Sequence, residues 1–129
     1  VGGVMGFYNS DTSDRERVWV GDVNSTTAEV KYNRMSDNPT ANIDKNTWTY
    51  VTLVYKGTSE GTKQIYINGE LKSTGIENTE FTDALNLRIG NEYWGKFFNG
   101  SIDDVRIYPY ALSEEQVKQV YNSGSASMG

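Results

Sequence analysis

Short runs rich in Val, Ile, Thr, Tyr and Trp alternate along the chain with clusters of Gly, Asn, Asp and Ser. Such runs suit a pleated, half-buried surface, and the clusters supply turns. The alternation points to an all-β fold. Strands are expected near 3–8, 16–23, 27–34, 47–56, 63–68, 70–74, 85–90 and 97–108. "NSDTSDR" (9–15) reads as a turn-rich connection. "SDNPTAN" (36–42) reads as a loop, because Pro39 cannot donate to a central ladder.

The strongest hairpin is "QIYINGELKS" (64–73). Asn68-Gly69 can take the positive φ values of a type I′ turn. Ile65 and Ile67 share one face before it, Tyr66 takes the other, and Leu71 continues the apolar pattern after it. In "TWTYVTLVYK" (47–56), Val51, Leu53 and Tyr55 form one face, with Trp48, Tyr50, Thr52 and Val54 on the other. Apolar groups on both faces predict a strand inside a sandwich rather than at its edge.

One short helix is marked. Ser113 is the expected N-cap, Gln116 at N3 closes a capping box, and Leu112 can staple onto Val117. Glu114 and Glu115 favour the first turn through the macrodipole. Val117, Val120 and Tyr121 then share a face, and Gly124 is the expected end. Residues 125–129 read as a flexible tail.

At 129 residues the chain fits one domain. It has no Cys and no His, which removes disulfides, thiolate metal sites, His-based triads and His-ligated zinc. Any metal would be a hard cation held by oxygens. A net charge of -5 with no basic stripe argues against nucleic acid. No apolar run reaches membrane-spanning length. The opening "VGGVMGFYNS" has neither the basic start nor the long apolar stretch of a signal peptide. The expectation is a piece of something longer.

Four stretches line up in order: "NTWTYVTLVYKG" (46–57), "KQIYINGELKSTG" (63–75), "LNLRIGNEY" (85–93) and "FFNGSIDDVRIYPYALSEEQVKQVYNSG" (97–124). Together they resemble the laminin-G-like, concanavalin A-like jelly-roll superfamily, in particular its bacterial and archaeal LamG-type branch. The resemblance is carried mainly by residues 46–124. It implies a two-sheet antiparallel β-sandwich over residues 1–124 with one short C-terminal helix. It also implies an extracellular or cell-surface setting. The family pattern begins with further strands, one of which pairs with the final strand. No counterpart stands before Val1. The expectation is pairing with a missing N-terminal segment or with another chain, across an edge that would otherwise stay open.

The candidate site residues fall in two groups. In "GNEYWGKFFNG" (90–100), Tyr93 and Trp94 could supply an aromatic platform for a sugar ring, with Asn91, Glu92 and Lys96 as hydrogen-bonding groups. The competing reading makes Trp94 a cover for the core, with Phe97 or Phe98 beneath it. The second group is Asp103-Asp104. Ile102 is out of phase with Val105 and Ile107, so a β-bulge is expected at 103–104, turning all three inward. The two carboxylates then either accept hydrogen bonds from nearby backbone N–H groups or help to hold a structural calcium, which the resemblance adds as an alternative. A catalytic pair is disfavoured, since neighbours on a regular strand point to opposite faces. The acidic strand motif of related glucanases has no match here. "NSDTSD" (9–14) reads as a solvated turn, and Trp19 and Trp48 as core residues.

The function expected from these observations is a non-catalytic carbohydrate-binding or adhesion module of a larger surface or secreted protein, with a glycan as partner. The alternative is a structural or protein-interaction domain of a surface filament or multidomain assembly, with a surface protein as partner. Neither nucleic acid nor membrane insertion is expected, and an enzyme is disfavoured.

Overall fold

A computed structural model of the chain describes residues 2–8, 15–33, 38–77, 86–91 and 95–128. Among these residues eight strands are formed: β1 (Gly2–Tyr8), β2 (Arg15–Asp22), β3 (Thr27–Asn33), β4 (Thr40–Asp44), β5 (Val51–Tyr55), β6 (Thr62–Ile67), β7 (Glu70–Ile76) and β8 (Asn86–Ile89). A single turn of helix, α1 (Gly57–Glu60), joins β5 to β6, and α2 (Glu114–Met128) follows the last strand. The strands make two antiparallel sheets, one ordered β4-β3-β2-β1-β8 and one ordered β5-β6-β7. The all-β sandwich with a C-terminal helix expected from the sequence is the architecture observed.

Period-two patterning explains how the sheets stack. Val18, Val30, Tyr32 and Ala41 from the larger sheet meet Ile65 and Ile67 from the smaller one, with Val51 and Leu53 packed alongside. On the opposite face of the smaller sheet, Val54 and Tyr66 meet Leu112 and Val117, with Leu71, Tyr108 and Val120 around them. Ile65 and Tyr66 are neighbours in sequence and therefore serve different cores. The chain thus has three layers: five strands, three strands, and α2.

Local chemistry fixes the joints. Asn68 and Gly69 have φ of 50° and 79°, as a type I′ hairpin requires. Tyr121 of α2 packs over this turn so closely that a Cβ on Gly69 would lie 3.0 Å from its ring. Ser113 caps α2: the Gln116 N–H donates to Ser113 Oγ at 3.2 Å, and the Ser113 N–H donates to Gln116 Oε1 at 2.9 Å. Leu112 and Val117 are both buried, completing the staple. In the β2–β3 turn, Asn24 Oδ1 accepts the N–H groups of Thr26 and Thr27, each at 2.9 Å.

The structure corrects several expectations. Pro39 does not keep its neighbourhood out of a sheet, since β4 begins at Thr40 and lies at a sheet edge. Proline lacks an N–H, but its carbonyl still accepts from the Tyr32 N–H at 3.0 Å. The strand expected over 47–56 begins only at Val51, and it is an edge strand of its sheet. Its two apolar faces are covered, as expected, but by the larger sheet on one side and by the α2 layer on the other. Trp48 is 57% exposed and no core residue. Trp19 lies half-buried outside the core, because alternation along β2 sends Val18 and Val20 inward and Trp19 to the other face.

Two corrections concern the C-terminal third. Gly124 does not end α2, which continues to Met128. Its purpose is close approach: a Cβ there would lie 2.7 Å from Tyr50 and 3.1 Å from Asp104 Oδ2. The strand expected over 97–108 is not formed. Phe97 makes isolated bridges to Gly3 and Asn91, and residues 101–108 join no ladder among the described residues. Asp104 does interrupt the extended run, with φ of 52°. However, without a paired strand this is not a β-bulge, and Val105 and Ile107 stay 43% and 53% exposed instead of turning into the core.

Candidate functional site

The larger sheet carries the candidate site on the face away from the core. Arg17 and Trp19 alternate with the inward-facing Val18 and Val20, so the "RVWV" run itself places them together. Trp19 pairs with Gly3 on one side and Lys31 on the other. Gly3 offers no side chain beside the indole. The Arg17 guanidinium lies 4.2 Å from the Trp19 ring centroid, and its Nε donates to Asn33 Oδ1 at 3.3 Å. Contacts of this cation–π kind are worth about 0.5–2 kcal/mol, depending on desolvation.

The connection after β8 reaches the same place. Gly90 takes φ of 79°, its N–H donating to the Val4 carbonyl at 2.7 Å. Asn91 bridges to Phe97, Phe97 bridges to Gly3, and the Gly3 N–H donates to the Lys96 carbonyl at 3.3 Å. Gly2 is required here, since a Cβ on it would sit 2.3 Å from the Phe97 carbonyl oxygen. These bonds hold Lys96 so that its Nζ lies 5.2 Å from the Trp19 ring centroid. Among the described residues, two buried polar atoms have no hydrogen-bond partner, Trp19 Nε1 and Asn91 Oδ1. One is a donor and the other an acceptor. A buried polar group left unpaired costs about 1–3 kcal/mol, so such atoms call for an explanation.

Of the expected platform, then, the fold brings Lys96 to Trp19, and Asn91 to Phe97, which bridges to Gly3 beside Trp19. Glu92, Tyr93 and Trp94 lie outside the described residues, as does the "NSDTSD" turn. Of the two phenylalanines that the competing reading offered as buried, Phe97 is 68% exposed and Phe98 half-buried. Trp19 and Arg17 escaped the sequence reading as site residues. Their signal was present in the alternation of "RVWV", but an aromatic in a strand is assigned to the core unless its partners are known.

Asp103 and Asp104 sit elsewhere, beside the N-terminal end of β5 and the buried Gly124 of α2. Asp103 Oδ1 accepts the Asp104 N–H at 2.8 Å. Asp104 is gripped by Arg106, with Nε to Oδ1 at 2.8 Å and Nη2 to Oδ2 at 3.3 Å. This fork, with the Tyr108 hydroxyl, raises the Arg106 pKa above its ordinary value. Burial, with Asp104 second, raises the Tyr50 phenol. Both carboxylates are engaged in hydrogen bonds. Among the described residues, they belong to no cluster of three or more metal-binding side chains. A calcium ion here would have to take Asp104 from Arg106.

A third charged feature lies inside the sandwich. Lys63 and Glu77 are fully buried and paired at 3.3 Å, with Lys63 Nζ also 3.4 Å from Asn38 Oδ1 and 5.7 Å from the Tyr32 ring centroid. Nothing in the alternation of "TKQIYI" signalled it, because lysine reads as a solvent-facing residue.

A five-strand sheet stacked on a smaller one, with aromatic and polar groups on the outer face, defines a β-sandwich of the kind that serves as a binding module. The chain belongs to the Laminin_G_3 family of the concanavalin A-like lectin/glucanases superfamily, whose model matches residues 3–118. Comparison with curated proteins and with solved structures gave no match. Membership supports a lectin-like or adhesion-type module at family level. No helix among the described residues is long and apolar enough to cross a membrane.

Proposed function

We propose that the chain is a non-catalytic carbohydrate-binding module of a surface or secreted protein, binding where the 90–96 connection meets Trp19. The observation that carries this reading is that Trp19 Nε1 and Asn91 Oδ1 lack a hydrogen-bond partner among the described residues, with Lys96 Nζ 5.2 Å from the Trp19 ring. A sugar hydroxyl both donates and accepts, so it suits either an indole N–H or an amide oxygen. Lys96 adds a donor with an exposed approach. From the sequence, Tyr93 and Trp94 contribute the stacking surface and Glu92 a further acceptor.

A glycan array with the intact chain tests the reading, with Lys96→Ala, Asn91→Ala and Trp94→Ala as variants. Trp19→Phe is the sharpest variant, because it keeps a ring and deletes only the unpaired donor. Glycan binding should fall about tenfold or more in Trp19→Phe, without loss of thermal stability. Unchanged binding in all four variants would sink the proposed surface.

A second reading, a protein-interaction domain, is favoured by residues 101–108. Their backbone joins no ladder among the described residues, and Val105 and Ile107 are exposed on one side. An extended partner strand is the natural complement of such a segment. Light scattering on the isolated chain separates the readings: self-association that Ile107→Lys abolishes supports pairing between chains, and a stable monomer argues against it.

A further inference from the structure

A fully buried lysine faces two groups that can react with it. Lys63 and Glu77 have no exposed side-chain surface, and Lys63 Nζ lies 3.3 Å from Glu77 Oε2. The same Nζ donates to Asn38 Oδ1 at 3.4 Å. The three residues come from three places: Lys63 from β6, Glu77 from just after β7, and Asn38 from just before β4. Lys63, Ile65 and Ile67 alternate onto one face of β6, so the lysine points between the sheets, into the core that the two isoleucines share with Tyr32. The ring of Tyr32, itself buried, has its centroid 5.7 Å from Nζ.

An amine, a carboxamide and a carboxylate are the three parts of an amide-forming reaction. The Asn38 carboxamide carbon stands no more than about 1.2 Å beyond the oxygen that Nζ already touches. Turning the carboxamide about its own side-chain bond brings that carbon toward the roughly 3–3.5 Å of a near-attack contact. Burial disfavours separated charges. One proton passed from the Lys63 ammonium to Glu77 makes the pair neutral and turns Nζ into a nucleophile. Aminolysis of a free carboxamide is slow, but groups held in place reach effective molarities on the order of 10⁵–10⁸ M.

The backbone holds all three groups. Lys63 is laddered to Tyr55 on one side and Gly75 on the other, and the Glu77 N–H donates to the Gly61 carbonyl at 2.8 Å. Pro39 follows Asn38 and restricts it to extended backbone. The Pro39 carbonyl accepts the Tyr32 N–H at 3.0 Å, which ties this corner to the larger sheet. Pro39 also lacks an N–H. Attack on the Asn38 carboxamide by the next backbone nitrogen, the common fate of an asparagine, is therefore closed. That route stays open at Asn68-Gly69 and Asn99-Gly100.

We propose that Lys63 and Asn38 form an intramolecular isopeptide bond, with Glu77 as the proton carrier. Nζ attacks the carboxamide carbon; the Nζ–Cγ bond forms and the Cγ–Nδ2 bond breaks. The two protons that the lysine ammonium gives up pass through Glu77 to Nδ2, which leaves as ammonium. Glu77 ends as it began, a carboxylate. No oxidant, reductant or further reagent is consumed. The bond joins the two sheets between residues 25 apart in sequence, in a chain that has no Cys for a disulfide. The ionic pair is the reactant, so the energetics of a buried ion pair apply to chain that keeps its full mass.

Intact-mass spectrometry of the folded chain, followed by tryptic mapping, is the test. After incubation near neutral pH the chain should be lighter by one ammonia. Lys63 should resist trypsin, and the 35–45 and 57–72 peptides should appear joined. The joined peptide decides, because the two Asn-Gly pairs can also lose ammonia. Asn38→Ala and Glu77→Gln should each give none of it. Asn38 is only half-buried, so its variant should fold even where Glu77→Gln does not. Asn38→Asp should change the loss from ammonia to water, which a purely structural role would not do. Linked wild type should also melt above Asn38→Ala. Full mass throughout the incubation with no joined peptide overturns the proposal and leaves a buried ion pair. So does a joined peptide that persists in Asn38→Ala. Wild-type linkage in folded Glu77→Gln would overturn the role of Glu77.

Discussion

In β6, residues 63–67 are all buried, whereas in residues 101–108 no side chain is. Both stretches carry β-branched and aromatic residues in strand-like order. The difference lies in their neighbours. β6 is flanked by β5 and β7, so every ladder position is paired, and its faces are covered by the larger sheet and by α2. Even Lys63 is carried inside and has to be neutralised there by Glu77. Residues 101–108 have no ladder partner among the described residues, and only Ile102, Asp104 and Tyr108 of the segment reach partial cover. A strand pattern is therefore a capacity that a partner realises.

The largest effect should come from Glu77→Ala, which strands the Lys63 charge in the interior. A loss of about 3–5 kcal/mol is expected in denaturant unfolding. The double change Lys63→Met/Glu77→Leu should recover most of it, and failure to recover would mean that the pair does more than neutralise itself. Next, Ile65→Ala should cost about 2–5 kcal/mol through the cavity it leaves between the sheets. Ser113→Ala, which opens the capping box of α2, should cost about 1 kcal/mol. Ile107→Ala should change stability by no more than about 0.5 kcal/mol. A cost near that of Ile65→Ala would break the comparison, because it would mean that 101–108 is covered in solution.

The smallest expected effect is in alkaline stability. Burial, followed by Glu114, raises the Tyr66 phenol pKa on β6, and burial followed by Asp104 raises that of Tyr50 beside the 101–108 segment. A raised phenol favours the protonated folded state. Its contribution is thus fully present below the ordinary value of about 10 and is lost as pH rises through the folded value. Tyr66→Phe and Tyr50→Phe should each flatten the alkaline fall in unfolding free energy. An unchanged slope in both would show that neither phenol carries it.

The legible parts of the fold were those whose signals are local. Asn68-Gly69 dictates its own turn, and Ser113 with Gln116 its own cap, because the interacting atoms lie within a few residues. β4 was not legible, since Pro39 is a breaker only if its missing N–H is needed, and at an edge it is not. Nor was the continuation of α2 beyond Gly124, where glycine answers to Tyr50 and Asp104, residues distant in sequence. The candidate site was half legible. Asn91 and Lys96 stood out for their polar chemistry beside aromatics, but Trp19 joined them only through the bridges from Phe97 to Gly3 and Asn91.

By itself, the sequence determined the all-β class, the main hairpin, the capped helix and the family to which the chain belongs. Each rests on side-chain period or on contacts within a turn, which short-range sterics and hydrogen bonding settle. Tertiary structure alone decided which strands are edges, which face of β2 looks outward, and which charges are buried. It also decided that residues 101–108 go unpaired among the described residues. Those outcomes depend on backbone partners and facing layers far away in the chain, and burial and ladder pairing exist only once those partners have met.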